Sequence, residues 1–342
     1  MSAEMENKIS ADSAPSEENN VVSVDETVPK TNGEKDWTIS REDRGDRPFT
    51  FGQRYLTSED DVWNHNAWDH VEWGEEQRVE AEEKLAKQRE MPVKPFDKSL
   101  FMGNPAKYWD QFYRNNQANF FKDRKWLRVE FPALYEAQKP DAGPISILEV
   151  GCGAGNTMFP VLQNNENPHL SIMGVDYSRQ AVKIVRESEH FDSKYARAEV
   201  WDLAEPTGAL PEGVEPHSVD IIVMIFVFSA LAPEQWTQAV SNLKKLLKPN
   251  GRILFRDYGR YDLTQLRFKA GRLLDDNFYI RGDGTRVYFF TEEELHEIFG
   301  TEFEVIKVAT DRRLMVNRQR KLKMYRIWLQ AEFKNSKVEE SK

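Results

Sequence analysis

The stretch Ile145-Ser-Ile-Leu-Glu149-Val-Gly151-Cys152-Gly153-Ala-Gly155 decides how this 342-residue chain is read. A short apolar run, Ile145–Val150, reads as a strand and ends in three alternating glycines. Thr157–Gln163 follows and reads as a helix. Glycines at a strand-to-helix turn let backbone N–H groups approach a ligand closely. The spacing differs from the dinucleotide pattern G-x-G-x-x-G, and the absence of G-x-x-x-x-G-K-[ST] excludes a P-loop.

Working outward, strands and helices alternate. Leu170–Val175 is a strand ending at Asp176, and Ser178 is the N-cap of a helix carrying Ala181, Val182 and Val185. Tyr195–Trp201 is a strand ending at Asp202. Val219–Phe226 is a continuous apolar run of the kind buried on both faces of a parallel sheet. Pro233–Leu247 places Trp236, Ala239, Val240, Leu243 and Leu246 on one helical face, and Pro249-Asn-Gly251 stops it. Gly251–Arg256 is the next strand. Thr291 and Glu294 form a capping box for a helix to Phe299, and Phe303–Thr310 and Met324–Phe333 are the last strands, joined by a basic stretch. This alternation implies an α/β fold with an open parallel sheet and helices on both faces. Ligands in such sheets bind at the carboxyl ends of the strands. There Asp176 can accept both hydroxyls of a ribose, and Asp202 can accept from the amino group of an adenine.

The flanks differ in composition. Residues 1–36 are polar, acidic and poor in aromatics, so they cannot bury enough apolar surface to order themselves. An acidic tail is assigned to 1–40 and an N-terminal extension to 41–100, with the main domain over 101–342. The extension is aromatic between Phe49 and Trp73, which suits docking rather than a free linker, and Glu75–Glu90 reads as a polar exposed helix. Tyr108/Phe112 and Trp109/Tyr113 stand four apart on a further helix. The net charge of −10 is unevenly placed: residues 305–337 carry 10 basic and 2 acidic side chains, and residues 104–130 carry 6 and 3. Segregation of this kind keeps nucleic acid open as a partner despite the acidic total. A solvated surface remains the plain alternative. The longest apolar run, Ile221–Ala232, is too short to span a bilayer, and no secretory signal is visible at the start. The only cysteine is Cys152, so no disulfide or CxxC zinc site forms within the chain. The six histidines are scattered, and no metal is expected.

The glycine loop with Asp176 and Asp202 resembles the class I, Rossmann-like S-adenosylmethionine-dependent methyltransferases over about residues 145–333. That resemblance implies a doubly wound seven-stranded sheet, here preceded by the extension. Because the cofactor is a sulfonium cation, Trp109 and Tyr113 can offer it aromatic faces or cover its mouth, unless both simply pack in the core. Four longer strings narrow the likeness: Asn119-Phe-Phe-Lys-Asp-Arg124, Ile225-Phe-Val-Phe-Ser-Ala230, Leu254-Phe-Arg-Asp-Tyr-Gly259 and Asn277–Thr291. They resemble the eukaryotic tRNA 3-methylcytidine methyltransferases, which modify cytidine 32 of the anticodon loop. Asn64–Trp73 and Asp311–Arg318 resemble the branch acting on threonine tRNAs. No long insertion stands between Pro140 and Ile145, where some relatives carry one.

The resemblance implies cofactor contacts at Trp109, Tyr113, Gly151, Gly153, Asp176, Asp202, Leu203 and Ile225. It implies RNA contacts in the N-terminal extension, in Phe120–Arg128 (Lys122 and Arg124) and in the basic 312–326 stretch (Arg312, Arg313, Arg318 and Arg320). It also implies a tRNA anticodon stem-loop as substrate, a cytoplasmic location, and in some relatives a helper such as an aminoacyl-tRNA synthetase. The chemistry is compatible. Methylation of pyrimidine C5 needs a cysteine nucleophile, and Cys152 lies inside the glycine loop. The exocyclic-amine motif [DN]-P-P-[YFW] is absent after the fourth strand. Arg256, Asp257 and Tyr258 follow the fifth strand and are expected to face the crevice together. Asp257 would stabilise the cationic product ring, and Tyr258 would stack on it. A small-molecule methyltransferase and a non-catalytic cofactor-binding scaffold remain the alternatives.

Overall fold

The computed structural model describes residues 54–118, 124 and 126–336. In chain order the elements are β1 (Ala67–Asp69), α1 (Glu75–Arg89), α2 (Pro95–Gly103), α3 (Pro105–Asn116), α4 (Leu127–Glu130), α5 (Pro132–Glu136), β2 (Ile145–Val150), α6 (Met158–Gln163), β3 (Leu170–Asp176), α7 (Arg179–Arg186), β4 (Ala196–Val200), β5 (Val219–Ile225), α8 (Trp236–Leu246), β6 (Leu247–Tyr258), α9 (Leu263–Leu266), β7 (Leu273–Asp275), β8 (Phe278–Ile280), β9 (Arg286–Tyr288), α10 (Glu292–Phe299), β10 (Glu304–Asn317) and β11 (Leu322–Lys334).

The main sheet runs β1-β10-β11-β6-β5-β2-β3-β4. Strands β6, β5, β2, β3 and β4 are mutually parallel, and β11, β10 and β1 add antiparallel. Seven of these strands make the expected doubly wound sheet, and the three-residue β1 from the N-terminal extension makes an eighth. The order reverses between β5 and β2, which opens a crevice where the glycine loop leaves β2. Two apolar layers bury the two faces. One is built on Leu148, Val150, Ile222, Met224 and Phe255 with α8 and α10. The other is built on Ile147, Ile172, Val223 and Ile225 with α6 and α7. Both caps expected at helix starts are present: Ser178 Oγ accepts from Ala181 N, and Thr291 and Glu294 close a reciprocal box.

Two departures from the sequence reading matter for function. The basic stretch near residue 318 is not a long linker. Strands β10 and β11, of 14 and 13 residues, pair continuously to the turn at 318–321 and form one long hairpin. Leu329–Lys334 lies against β6, whereas Leu322–Ile327 extends past the last β6 pair at Trp328/Tyr258. Strand β1 covers the outer edge of this extension, pairing Ala67, Trp68 and Asp69 with Met315, Leu314 and Arg313. Trp68, Val62, Leu314 and Val316 form a small separate core there. The other departure is the three-stranded sheet β7-β8-β9, whose strands are too short to announce themselves in the sequence. It carries much of the Asn277–Thr291 string. The extension from α1 onward is stitched to it: Val93 N donates to Leu273 O, and Tyr279 Oη donates to Gln88. Leu85 and Ala81 of α1 are buried, so that helix is less exposed than expected.

Candidate active site

The crevice is a partly enclosed cleft. Its walls come from the ends of four parallel strands (Val150-Gly151, Asp176-Tyr177, Trp201-Asp202-Leu203 and Phe226-Val227), from Trp109 and Tyr113 of α3, and from Ala230, Leu231, Gln235 and Arg286. Six of the eight expected cofactor residues therefore line one cavity. Gly153 contributes indirectly, since its N–H donates to Asp176 Oδ2 at 2.9 Å. Ile225 stands apart from the other seven. Its side chain is buried in the core layer with Val223 and Leu254, and the next residues, Phe226 and Val227, line the cleft. Phe226 has φ +58°, which turns the chain off the strand and breaks its alternation.

The glycines are required by local geometry. Gly151 and Gly153 have φ +67° and +54°, and a Cβ on them would lie 2.4 Å from Val227 Cγ2 and 2.7 Å from Tyr113 Oη. The loop, the β5 exit and α3 therefore meet too closely for any other residue. Helix α3 is fixed from its other side by Asp110, whose Oδ1 accepts from Ser178 Oγ at 2.6 Å and from Gln180 N at 3.2 Å. This anchor escapes sequence reasoning because it joins residues 68 apart with no periodic signal.

Burial shapes the acids. Asp176 accepts from Gly153 N and Ser178 N, yet burial pushes its carboxyl up to about 6. Burial also raises Asp202, more modestly. Glu149, at the base of the loop, accepts from Met158 N at 2.9 Å, and burial pushes it up to about 7 against the pull of Arg124. Burial, reinforced by Asp176, holds the Tyr113 phenol well above its usual range.

The three residues after β6 do not converge. Successive side chains of a strand point to opposite faces. Asp257 is fully buried on one side, with Oδ2 accepting from Ser229 N and Oδ1 from Tyr258 N, both at 2.9 Å. Arg256 turns to the other side, pairs with Asp311 at 2.7 Å and Gln330 at 2.9 Å, and lies between the Trp126 and Trp328 rings. Burial lowers its pKa, opposed by Asp311. Neither side chain reaches the cleft, which corrects the expectation of a shared crevice. Tyr258 stands closest, packed 5.0 Å from Phe226, with the Arg281 guanidinium over its ring.

The basic residues divide likewise. Lys122 lies outside the described residues. Arg124 donates to Thr157 Oγ1 at 2.9 Å and so points to the start of α6. Arg313 is held by Asp69 and Asp311, each at 3.4 Å, and Arg312 is partly buried near Glu292 and Arg78. Only Arg318 and Arg320 of the four are exposed, at the hairpin turn.

A cleft at the switch point, walled by two strand-end acids, a glycine turn and two aromatic rings, is the site of an S-adenosylmethionine-dependent methyltransferase. A family described as a methyltransferase domain matches residues 148–253. The chain is 61% identical over 307 residues to the tRNA(Thr) (cytosine(32)-N(3))-methyltransferase of Saccharomyces cerevisiae, covering 90% of this chain and 49% of that protein. It is 50% identical over 308 residues to tRNA N(3)-methylcytidine methyltransferase trm140 of Schizosaccharomyces pombe, covering 90% and 99%. It is 45% identical over 305 residues to tRNA N(3)-methylcytidine methyltransferase Mettl2 of Drosophila melanogaster, covering 88% and 92%. It thus spans about half the length of the first relative and nearly all of the other two. The chain belongs to the tRNA N3-methylcytidine methyltransferase family.

Proposed function

We propose that this protein transfers a methyl group from S-adenosylmethionine to N3 of cytidine 32 in the anticodon loop of tRNA, threonine tRNA included. The observation carrying this is 50% identity across 99% of the length of the Schizosaccharomyces pombe enzyme; a cleft lined by six of the eight expected cofactor residues supports it.

When bound, S-adenosylmethionine supplies an electrophilic methyl group on a cationic sulfur. The residues present fit it. Asp176 is the ribose acceptor, Asp202 the acceptor for the adenine amine, and Trp109 and Tyr113 provide aromatic faces for a cation. Cytosine N3 has an in-plane lone pair at neutral pH, so no side chain has to remove a proton before attack. The protein's task is to unpair the base, orient it and exclude water. Phe226 lines the cleft and packs on Tyr258, which gives the base an aromatic surface beside the cofactor site. Asp257 acts through the backbone. By holding Ser229 N and Tyr258 N together, it fixes the 226–230 wall against the end of β6. The exposed Arg318 and Arg320 at the hairpin turn are phosphate contacts. The reaction takes place in the cytoplasm, and a helper protein such as an aminoacyl-tRNA synthetase assists in selecting the tRNA.

The test is methylation of a threonine tRNA transcript with labelled cofactor, followed by nucleoside mass spectrometry. The expected product is 3-methylcytidine, lost when cytidine 32 is replaced by uridine. Methylation that survives this replacement refutes the assignment.

A further inference from the structure

The Asn277–Thr291 string forms most of the small β7-β8-β9 sheet beside the cleft. It delivers one ionisable side chain to the cleft, Arg286 at the start of β9. Arg286 is 5% exposed. Nε donates to Ala230 O at 3.1 Å, Nη2 to Gln235 Oε1 at 3.2 Å, and Nη1 points at Met102 sulfur at 3.7 Å. The guanidinium sits 5.7 Å over the Phe278 ring. Among the described residues no carboxylate lies within ion-pair distance of it. A second buried arginine, Arg256 of β6, has Asp311 at 2.7 Å.

A desolvated guanidinium normally takes a paired acid or a full set of acceptors. Arg286 has five N–H donors and only two oxygen partners. Arg286 lines the cleft together with Asp202 and Tyr177, and these two groups and Glu234 act electrostatically on its charge. The cavity therefore carries both a donor and an acceptor in its wall, the Arg286 guanidinium and the Asp202 carboxylate, set beyond ion-pair distance of each other. The amino edge of adenine shows the complement, an exocyclic N–H donor next to a ring-nitrogen acceptor. A 6-oxo purine would turn an oxygen toward Asp202.

We propose that Arg286 is a cofactor-binding residue that donates to a ring nitrogen of the adenine and, with Asp202, selects adenosine over other nucleosides. This rests on the cofactor class alone, so its failure would leave the tRNA assignment untouched.

The experiment is calorimetric binding of S-adenosylhomocysteine and its 1-deaza, 3-deaza and 7-deaza analogues to the full chain, without RNA. Each analogue removes one ring acceptor. A hydrogen bond from a charged donor corresponds to about ten- to hundred-fold in affinity. Wild type should lose that factor with one analogue only. Arg286→Met should lose it with the parent ligand and bind the same analogue no worse than the parent. Arg286→Leu, which likewise carries no donor, repeats the measurement if the methionine variant fails to fold. Three results overturn the proposal: wild type binds all three analogues like the parent, a variant keeps wild-type affinity for the parent, or the analogue penalty persists undiminished in the variant. In the last case the donor is a backbone N–H.

Discussion

Replacing Glu149 with Gln should stabilise the protein near neutral pH, although Glu149 opens the motif that defines the site. The carboxyl is 3% exposed, and burial pushes it up to about 7 from an ordinary 4.5. The sign follows from proton binding. Between these two values the folded chain holds a proton on Glu149 that the unfolded chain has released. Stability therefore falls as pH rises through the window and levels off above about 7. The full shift corresponds to about 3 kcal/mol, at roughly 1.4 kcal/mol per unit. Gln keeps an acceptor for Met158 N, the bond that seats the start of α6, and removes the titration. The assay is urea denaturation of both proteins from pH 5 to pH 8 without ligand. The stability gap in favour of the variant should grow by about 2 to 3 kcal/mol across this range. Parallel pH profiles for the two proteins would refute the reasoning and show that Glu149 is charged in the native loop.

Four further outcomes are expected. Cofactor affinity should rise with pH and level off above about 6, where Asp176 ionises, and Asp176→Asn should bind more weakly with no such profile in calorimetry. Asp257→Asn should lower transfer and cofactor affinity together, because an amide can accept only one of the two backbone N–H groups and the 226–230 wall shifts; unchanged affinity with lost turnover would instead give Asp257 a direct role. Arg318→Ala with Arg320→Ala should weaken tRNA binding and reduce the log–log salt slope by roughly 0.7–0.9 per lost contact without changing Tm, whereas Arg313→Ala should lower Tm because it breaks pairs with Asp69 and Asp311. Deleting residues 1–36 should leave tRNA affinity equal or higher, since residues 1–35 carry 3 basic and 8 acidic side chains; loss of binding in a salt titration would count against this.

The parts of the site visible in the sequence are those fixed by local constraints. Gly151 and Gly153 announce a backbone with positive φ, and Asp176 and Asp202 stand at the ends of apolar runs whose length sets the strand end. The sequence is less informative where one residue of register decides which side chain enters the cleft. Ile225 and Phe226 are neighbours, and only the turn at Phe226 shows which enters the cleft. Arg256 and Asp257 likewise part to opposite faces. Asp110 and Arg286 were missed because their partners, Ser178 and Ala230, are 68 and 56 residues away. The length of the hairpin is hidden in the sequence because its distal half is rich in charges, a pattern typical of loops.

That hairpin also explains how an acidic chain can present a basic surface. An isolated two-stranded hairpin is marginal in water, and an exposed strand edge invites wrong pairing. Beyond Trp328 the β10–β11 extension has no parallel sheet to lean on. It is held instead by β1 along its outer edge and by the small core of Trp68, Val62, Leu314 and Val316. Ion pairs then hold it in place: Arg256 of β6 with Asp311 ties it to the parallel sheet, Arg326 with Asp262 ties it to the start of α9, and Arg313 with Asp311 and Asp69 ties β10 to β1. In each, an acid neutralises a cation that would otherwise repel its neighbours around Trp328. Pairing inside the extension thus leaves the cations at its turn to face solvent. The N-terminal segment from Val62 to Asp69 is therefore a structural half of the basic surface, even though residues 59–90 carry 4 basic and 11 acidic side chains. The acid count of a segment does not by itself tell whether it repels a polyanion; where each carboxylate is spent does.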